Sequence, residues 1–216
     1  VVAGHFIGKV GLSAINNSSQ VILLLTQVII GITTGGHVLI SQYYGAKDKK
    51  SRVETNMTRF TMALIAGPLF AILMLFLGDQ ILMLLKAPAM AESSVYLRIC
   101  AVGLVPVFGY NALSAMIRGV GNSKQPLYFI MVTACVNVAL DLLFIGGLRW
   151  GTAGAAWATL IAQSLSFLLA LIYTLRQKEL FGLILHKPDT SKTKLAQMMP
   201  LASPRPIQIS FAVLAW

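Results

Sequence analysis

Acidic residues are scarce in this sequence. Asp and Glu together number 7 among 216 residues, and charged residues of both signs make up only 11%. A soluble domain carries about 25% charged residues. Hydrophobic residues account for 56% of the chain, and the mean hydropathy is +0.76. The scarcity of charge therefore excludes an ordinary soluble domain and predicts a polytopic membrane protein.

Cysteines and catalytic groups are nearly absent as well. The only cysteines, Cys100 and Cys135, lie inside apolar segments and form no CxxC pattern, which excludes a disulfide framework and a cysteine metal site. The apolar segments contain no His-Glu pair and no Ser/His/Asp set. The sequence therefore predicts that the protein is not an enzyme.

Five long segments contain at most one charged residue each, and a spanning helix needs about 20 apolar residues. These segments are 10–46, 60–78, 99–117, 125–148 and 150–175. Residues 1–12 are interpreted as the exit of an earlier helix followed by a short external turn. The predicted fold class is all-α, a polytopic membrane helix bundle with five full transmembrane helices plus the end of a sixth.

The net charge of +10 raises the possibility of a nucleic-acid partner, but the positions of the basic residues explain it better. If residues 47–59 are cytoplasmic, alternation places 118–124 and 176–199 on the same side. These three loops hold twelve Lys and Arg residues, whereas the opposite side holds four. This positive-inside bias predicts that the three loops are cytoplasmic, and it excludes nucleic acid as the expected partner.

One carboxylate, Asp141, lies inside the predicted helix 126–148. Thr133 and Asn137 precede it at intervals of four residues, so the three side chains share one helical face. A carboxylate inside a spanning helix costs about 2.5–3.5 kcal/mol and commonly belongs to an ion or proton path. An interfacial Asp and a structural Asp that caps a neighbouring helix are the alternatives. A cation or proton site is the favoured interpretation.

Two further polar residues are candidates for the same region. The turn 149–151 is very short, so the helices on either side of it are antiparallel neighbours, and Thr159 lies at a depth comparable to that of Asp141. The Thr159 hydroxyl could approach Asp141 or help to ligate a cation, or it could bond to its own helix. Asn111, near the cytoplasmic end of its segment, is with Thr133 a weaker candidate for a substrate cavity.

Four stretches of the chain resemble the MATE family of multidrug and toxic compound extrusion antiporters. They read VVAGHFIGKVGLSAI, GITTGGHVLISQYYGAKD, NALSAMIRGVGNSKQPLYF and NVALDLLFIGGLRWGTAGAAWAT, and they cover about residues 1–182 in order. The resemblance implies half of a twelve-helix transporter that lacks most of its first helix, with the C-terminal half as the missing partner. It also implies that Asn137, Asp141 and Thr159 contribute to a cation or proton site, with Na⁺ possible at Asp141 and Asn137.

The function implied by the resemblance is secondary active export of drugs or other organic compounds, often cationic, in exchange for Na⁺ or H⁺. No cofactor besides the coupling ion is expected, and the expected location is a bacterial-type plasma membrane. One alternative is a lipid-linked oligosaccharide flippase of the same superfamily, although no Arg or Lys lies inside a predicted span. The other is a non-transporting truncated fragment.

Three parts of the chain are distinguished by composition. Residues 1–182 are expected to form the helix bundle, and 183–199 a basic cytoplasmic linker. Residues 200–216 are expected to be the truncated or altered start of a next helix, since their uncharged run is too short to span.

Overall fold

A computed structural model describes residues 2–84 and 89–181, apart from the side chains of 2–7, 9–10, 25, 28–37 and 179. All regular elements in these two ranges are helices. They are α1 (Val2–Gly45), α2 (Lys49–Leu84), α3 (Met90–Gly119), α4 (Lys124–Asp141), a π-helix (Leu142–Gly147), α5 (Gly151–Arg176) and α6 (Lys178–Phe181). The predicted all-α fold class is therefore confirmed.

Four continuous helical stretches in the described ranges are long and apolar enough to cross a membrane. They are Lys49–Leu84, Met90–Gly119, Lys124–Gly147 and Gly151–Arg176. The outer face of α2 leaves large apolar side chains exposed, among them Ile65 (61%) and Phe76 (77%). Lipid is the medium that tolerates such a face, so the chain is a multi-pass membrane protein.

Helix α1 is interrupted once, at Gly8. This residue has φ 74° and ψ −176°, outside the helical region, so α1 consists of two helical segments. Glycine adopts a positive φ without steric cost. The predicted change from one helix to the next therefore occurs at Gly8, but helical structure resumes directly afterwards instead of passing through a turn that extends to residue 12.

Helix α3 is the central element of the bundle, since it packs against α1, α2 and α5. Its side chains Leu104, Phe108, Leu113 and Met116 are completely buried. The ring of Phe70 on α2 meets Phe108 edge-on, with centroids 5.8 Å apart. The other helices are therefore arranged around α3, and the cavities described below lie along it.

Side-chain hydrogen bonds bring three chain segments to one end of the bundle. Asn56 Nδ2 of α2 donates to the Phe181 carbonyl at 2.9 Å, and Asn122 Nδ2 donates to the Tyr173 hydroxyl at 2.9 Å. The start of α2, the α3–α4 connection and the end of α5 therefore share one end. This common end agrees with the grouping of the three basic segments, while its assignment to the cytoplasm remains a prediction.

The predicted cytoplasmic loop 47–59 is wrong as a loop, because α2 begins at Lys49. Asp48 starts the helix: its Oδ1 accepts a hydrogen bond from the Ser51 backbone N at 3.0 Å, as an N-cap residue does. Arg52 and Arg59 are buried within α2, only 8% and 2% exposed. The apolar run 60–78 itself contains no Arg or Lys, but the helix that includes it begins earlier and carries Arg52 and Arg59 in its N-terminal part.

The other predicted connections have mixed outcomes. The turn 149–151 is as short as predicted, because only 148–150 separate the π-helix from α5. The connection between α3 and α4 spans 120–123, close to the predicted 118–124. The linker 183–199 and the segment 200–216 lie outside the described residues, so the division of the chain at residue 182 remains a prediction.

Candidate functional site

A cavity of about 370 Å³ opens between α1, α3, α4 and α5. Each of these helices contributes polar side chains to its wall. They are Thr26 from α1, Tyr110 and Asn111 from α3, Thr133 and Asn137 from α4, and Thr159, Gln163 and Ser166 from α5. A polar-lined space inside a membrane bundle can hold water or a ligand with hydrogen-bonding groups.

The spacing of polar residues along α4 and α5 explains this lining. Thr133 and Asn137 are four residues apart, so one helical face of α4 presents both. Thr159, Gln163 and Ser166 follow the i, i+4, i+7 pattern, which gives α5 a matching polar stripe. The two stripes meet where Ser166 Oγ donates to Thr133 Oγ1 at 3.1 Å, with both residues buried.

A smaller cavity of about 250 Å³ continues from the first one. The two cavities share Thr26, Val107, Thr159 and Gln163. The smaller cavity also reaches Tyr96 and Ser19, and Ser19 Oγ donates to the Tyr96 hydroxyl at 3.3 Å. Hydroxyl and amide side chains therefore line the two cavities in succession, from α4 through α5 to α3 and α1.

The hydroxyl of Thr159 is engaged by its own helix. Thr159 Oγ1 donates to the Ala155 carbonyl at 2.9 Å, which is the back-bond alternative, and it makes no hydrogen bond to the buried Oδ1 of Asp141 within the described residues. The hydroxyl oxygen still has lone pairs that can accept a hydrogen bond or ligate a cation. Asn111 Nδ2 likewise donates to the Val107 carbonyl at 2.8 Å, so its amide orientation is fixed by α3.

Asp141 is the last residue of α4, one turn after Asn137, and it is not among the residues that line either cavity. Its Oδ1 is buried and has no hydrogen-bond partner within the described part of the chain. A buried acceptor without a partner costs about 1–3 kcal/mol, and more when it is charged. A proton or a cation at this oxygen would remove that cost.

The walls of both cavities are uncharged as far as the structure describes them: their polar groups are hydroxyls, amides and the Cys100 thiol. The buried guanidinium groups of Arg52 and Arg59 lie elsewhere on α2 and line neither cavity. The nearest charge along α4 is therefore the carboxylate of Asp141, one turn beyond the cavity wall.

The structure brings together four of the five residues expected from the sequence: Asn111, Thr133, Asn137 and Thr159 share one cavity. Their assignment as ion or substrate ligands remains a prediction. Sequence reasoning missed Thr26, Gln163, Ser166 and Tyr96 as lining residues. The i, i+4, i+7 stripe that begins at Thr159 was a signal for Gln163 and Ser166, and Thr26 and Tyr96 carried none.

The fold and the cavities define a class: a helical membrane bundle with a polar internal cavity and, close to it, a half-buried carboxylate, Asp141. The family model described as MatE matches residues 1–143. This match covers well over half of the 216 residues, and the chain therefore belongs to the MatE family.

Curated relatives agree with this membership. The chain is 33% identical over 178 residues to "Probable multidrug resistance protein YpnP" of Bacillus subtilis, which covers 81% of this chain and 40% of the relative. It is 25% identical over 206 residues to "Multidrug export protein MepA" of Staphylococcus saprophyticus, which covers 93% of this chain and 46% of the relative. The chain thus spans less than half the length of these relatives.

Solved structures show the same fold. "Crystal structure of MATE in the bent conformation" aligns with a TM-score of 0.90 and 22% identity, covering 98% of this chain and 49% of that one. An outward-facing multidrug resistance MATE family transporter of the MOP superfamily aligns with a TM-score of 0.87 and 23% identity, with the same coverage. At these identities the similarity establishes the fold alone.

Proposed function

We propose that the complete protein is an ion-coupled exporter of organic compounds, often cationic, and that this chain supplies one of its cavities. The observation that carries the proposal is an uncharged polar cavity with a buried, unpartnered carboxylate oxygen one helical turn away, at Asp141. Membership of the MatE family and the multidrug resistance relatives support it. The coupling ion is a transported substrate, and the proposal requires no cofactor.

Asp141 is the proposed ion-binding group because its Oδ1 is buried without a donor. A proton or Na⁺ there would neutralise a carboxylate that the surrounding apolar segment solvates poorly. Asn137 and Thr159 offer oxygen atoms from the adjacent cavity wall, the kind of ligand that a hard cation prefers. Coupling further requires that the ion bind the two transport states with different affinities.

An organic cation is the proposed substrate class. The cavity combines apolar surface with hydroxyl and amide groups, a lining that suits amphipathic molecules. A negative charge at Asp141 would attract a cation to this end of the cavity, and neutralisation of that charge by the coupling ion would release it. Competition between the two cations at one carboxylate is the proposed basis of exchange.

The flippase alternative is less well supported by the cavity. A lipid-linked pyrophosphate carries several negative charges, and a site for it calls for Arg or Lys side chains in the cavity wall. Among the described residues, neither cavity has one, and the buried Arg52 and Arg59 lie outside both. The alternative of a non-transporting truncated fragment is motivated by length, because the match covers only 40% of the relative YpnP.

The proposed orientation places the basic end of the bundle in the cytoplasm of a bacterial-type cell. Asn56 and Asn122 make the hydrogen bonds that gather the basic segments at that end. The opposite end carries an exposed ion pair between Asp79 and Arg98. Positive-inside bias is the argument for this orientation.

The test uses the complete protein, reconstituted in vesicles that contain a fluorescent organic cation. Efflux of the dye is measured under an imposed Na⁺ gradient and, separately, under an imposed pH gradient. We expect one gradient to drive efflux in the wild type and Asp141→Asn to abolish that dependence, because the amide cannot hold a proton or neutralise a cation. Efflux that is equally gradient-driven in the variant contradicts the proposal.

Asp79→Asn is the matched control. It makes the same chemical change at a carboxylate that lines neither cavity and lies near the exposed surface, where Asp79 accepts from Ser94 and pairs with Arg98. An exposed pair of this kind contributes about 0–1 kcal/mol, so the variant should fold and retain gradient-driven efflux. Equal loss in both variants would indicate a general effect of removing a carboxylate.

A further inference from the structure

A π-helix, Leu142–Gly147, begins directly after Asp141. Single π-helical turns are rare and are found frequently at functional sites. The wider turn ends in two backbone hydrogen bonds that reach back five and six residues: Leu148 N donates to the Leu143 carbonyl at 2.8 Å, and Trp150 N donates to the Phe144 carbonyl at 2.9 Å. The orientation of Asp141 relative to α5 therefore depends on this irregular segment.

Helix α5 holds the π-helix through a glycine. A Cβ atom at Gly154 would lie 3.2 Å from the backbone carbonyl carbon of Phe144, 3.2 Å from Phe144 Cβ and 3.1 Å from Trp150 Cβ. Gly154 is buried, so no side chain larger than hydrogen fits there without moving the π-helix or α5. A methyl group at this position would therefore push Phe144 or Trp150 away by a few tenths of an ångström.

Aromatic and apolar contacts complete the attachment. The rings of Phe144 and Trp150 stack with centroids 5.2 Å apart and an interplanar angle of 22°. Ile145 is 3% exposed and packs in a buried cluster with Tyr96 and Ala155. Tyr96 lines the smaller cavity, so the π-helix packs against the wall of the candidate site.

From these contacts we infer that Gly154 is a positioning residue for Asp141: its contact with Phe144 holds the π-helix and so sets the direction of the carboxyl group. The inference rests on the proposed function, because it assigns the ion-binding role to Asp141. An α-helix turns about 100° per residue, so a shift of the π-turn by one position would redirect Asp141 by a comparable angle. Gly154 acts through the π-helix and touches no ion itself.

Gly154→Ala in the complete protein tests the inference. The added methyl group must displace Phe144, and Asp141 moves with it. We expect the ion activity at half-maximal efflux, measured as a Na⁺ concentration or as a pH, to shift by about 2- to 30-fold. This is the size of effect that mutations in packed residues between two coupled sites produce. We expect the maximal rate at saturating ion to change less, because the cavity wall is intact.

Gly67→Ala is the matched control. A Cβ atom there would lie 3.0 Å from Val105 Cα, so the α2–α3 contact is at least as tight as the contact at Gly154. Neither residue lines a cavity. This variant should lower thermal stability and leave the half-maximal ion concentration unchanged. Equal shifts in both variants, or no shift in Gly154→Ala, would overturn the inference.

A second pair of variants keeps the test decisive if Gly154→Ala does not fold. Trp150→Leu removes the ring that stacks on Phe144, and it should be tolerated because Trp150 is 51% exposed. Trp157→Leu removes an indole ring that is 44% exposed on α5. We expect only Trp150→Leu to shift the ion dependence, and an unchanged dependence refutes the positioning role.

The outcomes also separate this inference from the proposed function. If Asp141→Asn abolishes gradient dependence while Gly154→Ala and Trp150→Leu leave it unchanged, the ion site stands and the positioning role fails. If Asp141→Asn leaves efflux unchanged, the ion site fails and the positioning role fails with it.

Discussion

Gly109 on α3 makes the tightest glycine contact among the residues whose surroundings are described. A Cβ atom there would lie 2.4 Å from Phe167 Cε2 and 2.7 Å from Phe167 Cδ2 on α5. Overpacking of this kind costs about 1–3 kcal/mol. Alanine is favoured over glycine inside a helix by about 0.5–1 kcal/mol, which offsets part of that cost. Gly109→Ala should therefore lower the free energy of unfolding by about 1–2 kcal/mol.

Gly103→Ala is the comparison, because it makes the same change on the same helix facing the same neighbour. Its Cβ atom would lie 3.4 Å from Leu160 Cδ1, the end of a flexible side chain. Without a clash, the helix-propensity term leaves this variant neutral or stabilised by about 0.5 kcal/mol. The two alanine variants should thus differ by about 2 kcal/mol in unfolding free energy.

Unfolding of the purified protein in mixed micelles, followed by far-ultraviolet circular dichroism, measures this difference. The double variant Gly109→Ala/Phe167→Leu should be less destabilised than the sum of its single changes, because leucine lacks the ring atoms that meet the methyl group. Equal stabilities of the Gly109 and Gly103 variants, or simple additivity in the double variant, would refute the packing argument.

Two further predictions concern hydrogen bonds between helices. Ser166→Ala removes a bond to Thr133 and should cost about 0.6 kcal/mol of unfolding free energy, whereas Ser164→Ala loses only a bond within α5 and should cost less. Tyr110→Phe removes the bond from the buried hydroxyl to a carbonyl at the start of α4 and should cost about 1 kcal/mol, whereas Tyr128→Phe, on an exposed ring, should be neutral. The same unfolding assay measures both pairs, and a control variant that costs as much as its partner would contradict either prediction.

Much of the fold could be predicted because its determinants repeat along the chain. Long runs without charge predict where the helices lie. The turn before Gly151 is too short for anything but two antiparallel neighbouring helices, and the structure has a three-residue connection there. The family resemblance is confirmed by the family model, which matches residues 1–143. The spacing of Thr133 and Asn137 predicted that both side chains lie on one face of α4, because helical periodicity determines which side chains share a face, and both line the same cavity.

Other features could not be read from the sequence, for identifiable physical reasons. Counting Lys and Arg as loop residues hid the start of α2, although Asp48 ahead of Ser51 carries an N-cap signal. Asp141 keeps the α-helical register with Asn137, because the π-helix begins only at Leu142, but it lies one turn beyond the last residue of α4 that lines the cavity, and the extent of the cavity along the helix is not encoded in that register. The contacts of residues such as Thr26 depend on how the helices pack, which no local pattern encodes.

Reciprocal transport tests the proposed role of Asp141 in ion coupling. If transport is coupled, a gradient of the substrate must drive movement of the ion, just as a gradient of the ion drives movement of the substrate. Vesicles that contain the complete protein and no ion gradient are given an outward gradient of the organic cation, and uptake of Na⁺ and of protons is recorded. If Asp141 binds the coupling ion, one ion moves inward in the wild type and in Asp79→Asn, and none moves in Asp141→Asn. Ion uptake that persists in Asp141→Asn would contradict the central role of that carboxylate.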